Sequence, residues 1–465
     1  MRGRVFYVVA LAALLAVIAA GSPANAGGSD WQGEGEKWEE VTVDPKTGGK
    51  KDPPAKPHPD EPKDDEPAPE PLDRKGDLEV IATGLDNPRG IDVGKRHKIY
   101  VAEAGRGGPT LVDTPLGDSE GPICVGMTGR VTRIWRGEKT TVVTTPSAAP
   151  AVDGMCEGPG TGAAATGAHG VTVRKHKRVS YTVGLGGDPE ARDALVAGDP
   201  LAAAFGFVDH AWRPKAVGVD LTGFEAAADP DMQGVDSNPY GLTRIKGATL
   251  VVEAGGNTLL RVGRKGAIDV VAVFAPRCVP FMLGPNPIPP EANPCGDPSL
   301  FPADAVPTDV AVHDDGDYLV TVLGGFPFNV GASRVFKIDP DHAGPAMCST
   351  FDPVPGSGCE VFADGLTALV GIDVDKHGKV YVVQMTDNGL LGAGSGEPGA
   401  DDGSVQVLDG DGNHLGAIEG LLVPGGIAIR GEKVYVTNLS VVPGGGQVLR
   451  APLHCSDPSR CAAYS

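Results

Sequence analysis

Pro88-Arg89-Gly90-Ile91-Asp92-Val93, followed after a short turn by Ile99-Tyr100-Val101-Ala102-Glu103, is the stretch whose reading decides the fold. It consists of an anchor residue, an alternating apolar strand, a turn, and a second strand that closes on a polar or small residue. The phrase returns as Gly170-Val171-Thr172-Val173 with Tyr181-Thr182-Val183-Gly184, and as Gly241-Leu242-Thr243-Arg244-Ile245 with Leu250-Val251-Val252-Glu253. It returns again as Asp309-Val310-Ala311-Val312 with Leu319-Val320-Thr321-Val322, and as Gly371-Ile372-Asp373-Val374 with Tyr381-Val382-Val383-Gln384. The last copy is Gly426-Ile427-Ala428-Ile429 with Tyr435-Val436-Thr437-Asn438. From anchor to strand end the copies measure 13, 14, 12, 13, 13 and 12 residues. The intervals between copies are longer and uneven, which assigns the extra residues to loops.

Repeats that each carry several short strands predict an all-β fold, a six-bladed β-propeller spanning residues 78–453. A single such sheet cannot bury both faces, but packing against its neighbours around an axis does so. Further strands, such as Arg130–Trp135 and Thr258–Val262, complete the blades. Leu78–Ala82 precedes the first copy and belongs to no unit of its own. It is expected to supply the outer strand of the last blade and close the ring, which removes open sheet edges. A β-sandwich of the same strands is the alternative, and six in-phase copies argue against it.

The N-terminus reads as an export signal over residues 1–26: Arg2 and Arg4, an apolar run from Val8 to Ala20, then Ala24-Asn25-Ala26. Residues 27–77 hold nine prolines, fifteen Asp or Glu and eight Lys or Arg. That composition predicts a disordered acidic Pro-rich linker. The whole chain carries a formal charge of −20; the signal supplies +2 and the linker −7, which leaves −15 for residues 78–465. An acidic chain of this kind argues against nucleic acid and anionic membrane as partners. The expected product is a secreted, extracellular protein with no stable membrane insertion once the signal is removed.

Eight cysteines fit an oxidising compartment and fall in neighbouring couples: Cys124 with Cys156, Cys278 with Cys295, Cys348 with Cys359, and Cys455 with Cys461. Four local disulfides are expected, the last in a pinned tail at 454–465. Metal ligation is the rival, but no zinc-type Cys spacing is present. Asp188-Pro189-Glu190 predicts the start of a helix between the second and third copies.

The strand-closing residues Glu103, Gly184, Glu253, Val322, Gln384 and Asn438 are expected to occupy equivalent places around one mouth of the central channel. Oxygen donors from several blades suit Ca²⁺, which takes six to eight such ligands. Glu103 and Glu253 are the candidate metal residues, with Asp236, Asn238 and Asp309 supplementing the ring. Structural readings stand beside these: carboxylates at strand ends bond turn amides, and Asp-Ser-Asn-Pro at 236–239 is a turn former. His169, just before an anchor, is the candidate general base. No zinc-protease pair or phosphate-binding loop with a Lys occurs.

Asp236-Ser237-Asn238-Pro239-Tyr240-Gly241, preceded by Phe224-Glu225-Ala226-Ala227 and Asp229-Pro230-Asp231, resembles the signature of the ScyD/ScyE family. So do Gly184–Pro189 and Cys124–Trp135. The resemblance runs in order over roughly residues 78 to 453 and implies an exported bacterial propeller without an assigned reaction. More distantly, the strand-end ring is similar to gluconolactonase-like and paraoxonase-like propellers, which implies Ca²⁺ polarising a lactone carbonyl. Two functions therefore stay open. One is a non-catalytic scaffold that binds an extracellular protein, glycan or small molecule through one face. The other is a Ca-dependent lactonase or esterase at the channel mouth.

Overall fold

The computed structural model describes residues 78–453, apart from 117–120, 159, 175–177, 212–217, 350–355, 394 and 396. The expected signal at 1–26, the expected linker at 27–77 and the 454–465 tail with Cys455 and Cys461 lie outside the described residues. Six sheets, antiparallel except where Ala346–Cys348 adds parallel to Ile268–Phe274, are arranged as the blades of a β-propeller. Each inner strand packs beside the next around a closed ring: Pro88–Val93, Ala168–Arg174, Pro239–Arg244, Pro307–Val312, Leu369–Val374 and Ile427–Arg430. Glu79–Asp86 pairs antiparallel with Pro443–Pro452, so the strand that opens the propeller finishes its last blade.

The second strands are buried beyond their first residue, and Ile99–Glu103 and Ala248–Glu253 at every residue, because neighbouring blades cover both faces. The core is correspondingly divided. One apolar cluster fills each interface between adjacent blades, as Tyr100, Val125, Tyr181 and Leu185 do between blades 1 and 2. Val208, Leu242 and Leu260 do the same between blades 2 and 3. Strand pairing also corrects one register. Val183 pairs with Ala168 just as Glu103 pairs with Pro88 and Glu253 with Pro239. The blade-2 equivalent of Glu103 is therefore Val183, and Gly184 lies one residue beyond it.

The anchor glycines are explained by crowding at the hub. A Cβ on Gly90 would lie 2.7 Å from the His169 carbonyl oxygen of the next blade, and one on Gly241 2.5 Å from that of Thr308. Only a bare backbone fits there, so the anchor glycines serve the close approach of neighbouring inner strands.

Asp309, expected at the mouth, instead ties blades together. Its Oδ2 accepts from Ile372 N of blade 5 at 3.2 Å and its Oδ1 from Val310 N at 2.9 Å. Asp373 accepts from Ile429 N of blade 6 at 2.7 Å, and Asp92 from Val173 N of blade 2 at 2.6 Å. Burial pushes Asp309 and Asp373 up to about 7 even though backbone donors pull the other way, and it raises Asp92 too. Folded, these carboxyls hold protons that the unfolded chain has released above its ordinary carboxylate range near 3.8. Their contribution therefore falls as pH rises from about 4 toward about 7. The thermal midpoint should be higher at pH 5 than at pH 8, and the Asp309→Asn, Asp373→Asn double variant should flatten that slope. A midpoint that climbs from pH 5 to 8 would refute this account.

Three disulfides form as the couples suggested: Cys124–Cys156, Cys278–Cys295 and Cys348–Cys359. Several of these cysteines sit in strand extensions rather than loops. Cys124 lies in Ile123–Trp135, and Cys278 in the two-stranded sheet of Arg277–Pro280 with Leu300–Ala303. The expected helix runs Pro189–Gly198 (α1), with Asp188 accepting from Ala191 N at 2.7 Å. A second helix, Leu221–Ala228 (α2), is capped by Asp220. Among the described residues no helix is long and apolar enough to cross a membrane.

Candidate functional site at the channel mouth

The polar strand-end residues are equivalent by blade, but they act as latches. Each accepts a hydrogen bond from the segment that leads into its own blade. Glu103 Oε2 accepts from Asp86 N at 2.7 Å, Gln384 Oε1 from Thr367 N at 2.8 Å, and Asn438 Oδ1 from Leu422 N at 2.8 Å. Glu253 Oε1 accepts from the Ser237 hydroxyl at 2.7 Å. Where the position is Val183 or Val322, main-chain bonds hold the same crossing: Gly184 N to Gly167 O at 2.8 Å and Leu323 N to Val306 O at 2.9 Å. Glu103 also receives both arms of Arg130 and the Thr132 hydroxyl. Its oxygens are spent on protein donors, and neither Glu103 nor Glu253 lines the cavity at the mouth. The expected axial circle of these two carboxylates with Gln384 and Asn438 is therefore not the arrangement present.

The residue immediately before each anchor faces the mouth instead. In blade order these are Arg89, His169, Tyr240, Thr308, Val370 and Gly425, and all but Gly425 line a cavity of about 810 Å³. Asp236 and Asn238 join them, so of the expected site residues the structure brings together His169, Asp236 and Asn238. His169 was noticed for its place before Gly170. The same offset in the other copies gives Arg89, Tyr240 and Thr308, which the sequence reading missed.

Apolar groups build the walls: Leu116, Leu185, Phe301, Phe326, Phe328 and Leu390 among them. Phe326 meets Phe301 edge-on with centroids 5.5 Å apart, and Phe281 stacks on Phe301 at 5.3 Å. The Cys278–Cys295 bridge pins this aromatic wall, since both Cys278 and the neighbouring Pro294 line the cavity.

The cavity holds charge of both signs: Arg89 lines it, and so do Asp236 and Asp304. The buried Arg89 makes a single long hydrogen bond, from Nη2 to the Ala165 carbonyl at 3.4 Å, and its Nε has no partner. Among the described residues no carboxylate lies within ion-pair distance of it. His169 tilts against Tyr240 with ring centroids 4.6 Å apart. Burial, helped by the Arg89 charge, drives His169 down to about 3. The imidazole is therefore neutral at ordinary pH. Its Nδ1 and the Asn238 Oδ1 are buried without a hydrogen-bond partner. The mouth thus offers an unpaired cation, a phenol, neutral polar atoms and the Asp236 and Asp304 carboxylates within a mostly apolar chamber.

Beside this floor the 229–237 turn and α2 gather acids. Burial and the neighbouring Glu253, Asp231, Asp229 and Asp236 charges lift Glu225 to about 8, and burial lifts Glu253 to about 7.

A scan against protein-family models and a search of curated proteins each gave no match. Solved structures of similar chain course are gluconolactonase-like propellers and others. A gluconolactonase from Xanthomonas campestris aligns at 13% identity and a TM-score of 0.37, over 82% of this chain and 100% of that one. Virginiamycin B lyase from Staphylococcus aureus aligns at 13% identity and 0.34, over 80% and 87%. A PQQ-bound aldose sugar dehydrogenase from Streptomyces coelicolor aligns at 13% and 0.41, over 82% and 99%. At such identities and scores nothing about activity carries over to this chain.

Proposed function

We propose that this chain is an exported, ScyD/ScyE-like propeller that binds a small molecule in the channel mouth. The ligand is ring-bearing and largely apolar, and it carries an anionic end that seats on Arg89. The single observation behind this reading is the Arg89 guanidinium, buried without an ion-pair partner among the described residues in a mostly apolar chamber that Asp236 and Asp304 also line. A buried charge is costly unless paired, and an anionic ligand supplies the pair. The chamber falls in the size range of small-molecule sites, which are mostly apolar with a few convergent polar groups. Tyr240 and the neutral His169 are placed to complete the hydrogen bonding, whereas the Thr308 hydroxyl is already bonded to Leu369 O and Thr321. Export is supported by three disulfides and by the composition of the N-terminal segment. The family assignment rests on the motif residues.

Fluorescence titration with an anilinonaphthalene sulfonate, an aromatic anion, tests the proposal. Saturable binding is expected, with Arg89→Leu weakening it roughly 10- to 100-fold, as loss of a charge-assisted contact should. A neutral naphthyl alcohol should bind both proteins alike. Equal affinity of the anion for wild type and Arg89→Leu would remove the proposal. A parallel screen with lactones and aryl esters decides the hydrolase reading: turnover abolished by His169→Ala would move the site from binding to catalysis.

A further inference from the structure

We infer that Glu225, Asp229 and Asp231 form a binding site for one divalent cation of the Ca²⁺ class, separate from the floor of the channel mouth. Glu225 sits on the last turn of α2, while Asp229 and Asp231 follow in the turn that leaves it. One carboxylate oxygen from each lies within 4.8 Å of the others. Acids gathered in a turn are not a site by themselves. What distinguishes this group is Glu225: the residue is 0% exposed, and neither carboxylate oxygen has a hydrogen-bond partner. Buried carboxylates are ordinarily satisfied by donors, as Glu103 is here by four of them. Glu225 has none, and its nearest charged neighbours are further carboxylates. A cation is the partner that answers both the missing donors and the repulsion.

The surroundings are built to hold the carboxylates in place. Asp231 Oδ1 accepts from Gln233 N at 2.9 Å, and its Oδ2 accepts from Asn257 Nδ2 at 3.0 Å and Gln233 Nε2 at 3.2 Å. These outer contacts orient a ligand without exhausting its lone pairs. Gly256 gives the Glu225 carboxylate its room, because a Cβ there would lie 2.5 Å from Oε2. The C-terminal end of α2 adds its negative dipole end. An all-oxygen, all-carboxylate set selects hard cations, and its irregular layout suits Ca²⁺ better than Mg²⁺, which demands near-octahedral order. The site is also linked to the cavity. Gln233 lines the chamber, and Asn257 Oδ1 accepts from Val306 N at 2.9 Å, Val306 being another lining residue. Cation binding would therefore brace one wall of the mouth.

Calorimetric titration of CaCl₂ into the full chain, freed of metal with a chelator, tests this independently of any ligand in the cavity. One-site heat and a raised thermal midpoint are expected, with MgCl₂ much weaker. Glu225→Gln and Asp231→Asn should each weaken Ca²⁺ on the order of 100-fold, whereas His169→Ala and Arg89→Leu should leave it unchanged. Circular dichroism checks that Glu225→Gln is folded; if it is not, Asp229→Asn and Asp231→Asn carry the test. Absence of heat and midpoint shift at millimolar Ca²⁺ overturns the inference. So does Glu225→Gln binding Ca²⁺ like the wild type, since Glu225 would then be only a protonated packing residue.

Discussion

Removing residues 78–87 is expected to abolish the folded ring. That segment includes Glu79–Asp86, the outer strand of blade 6, which runs beside Pro443–Pro452 from Glu79 opposite Arg450 to Asp86 opposite Pro443. Its loss leaves Pro443–Pro452 as an open edge, a template for pairing with other chains. It also takes Leu85, fully buried, and Ile81 out of the core between blades 6 and 1. Asn87 goes too, and its Nδ2 donates to Gly105 O at 2.6 Å and Gly162 O at 2.7 Å, holding the loops of blade 1. In a closed ring every interface supports the next, so a gap at one is felt at all. Size-exclusion chromatography should show the shortened chain eluting as aggregate, with its cooperative melt lost. A milder variant, Leu85→Asp, should lower the melting midpoint strongly while keeping the chain length. A shortened chain that stays monomeric and melts like the full one would mean that blade 6 does not depend on its N-terminal strand.

The architecture was legible because hydrophobic alternation and repeat spacing are the physical causes of blades. Ile91, Val101 and Val131 are buried because each blade is covered on both faces, and that demand writes itself into sequence. The closing strand was legible for a related reason: Leu78–Ala82 had a strand pattern and no unit of its own. The functional end was harder to read. Glu103 and His169 are both polar residues near a strand end, and only direction separates them. Glu103 points back to the lead-in segment at Asp86, whereas His169 looks onto the mouth. Side-chain direction at a blade's inner end depends on the crossing between blades, which has no periodic signature. Strand pairing settles it, as the shift from Gly184 to Val183 illustrates. The offset before the anchor would have found Arg89 and Tyr240, but Arg beside Gly near the start of a strand carries no special pattern. What marks Arg89 is the lack of an ion-pair partner, and such a lack is visible only in three dimensions. Glu225 is the same kind of case: its resemblance motif was plain, yet its unpartnered oxygens were not.

Replacing Glu103 with Leu should cost about 3–5 kcal/mol of stability, the range for breaking a buried ion pair by removing one partner. Glu103 is 0% exposed and lies directly across the ladder from Arg130. Arg130 Nη2 reaches Glu103 Oε2 at 2.7 Å and Asp86 Oδ2 at 2.9 Å, and Arg106 also binds Asp86. The hydrogen bonds and charge of Glu103 hold the Arg130 guanidinium above its ordinary range. Without Glu103, the Asp86 N–H and the Thr132 hydroxyl lose their acceptor, and the half-buried Arg130 is left with Asp86 alone. Gln at this position keeps the shape but presents an amide N–H₂ where donors already converge, so Glu103→Gln should recover only part of the loss. The equivalent latch in blade 5 offers the control. Gln384→Leu strands only the Thr367 N–H and the acceptor Asp387, neither of them a cation, and should cost about 1–3 kcal/mol. Urea unfolding of the three variants beside the wild type measures the contrast. The same proteins separate latch from metal ligand, because an axial Ca²⁺ residue would lose calcium heat on Glu103→Gln with little loss of stability. A large stability loss with calcium heat intact would fix Glu103 as the clamp between the closing strand and blade 1; near-neutral stability would refute that role.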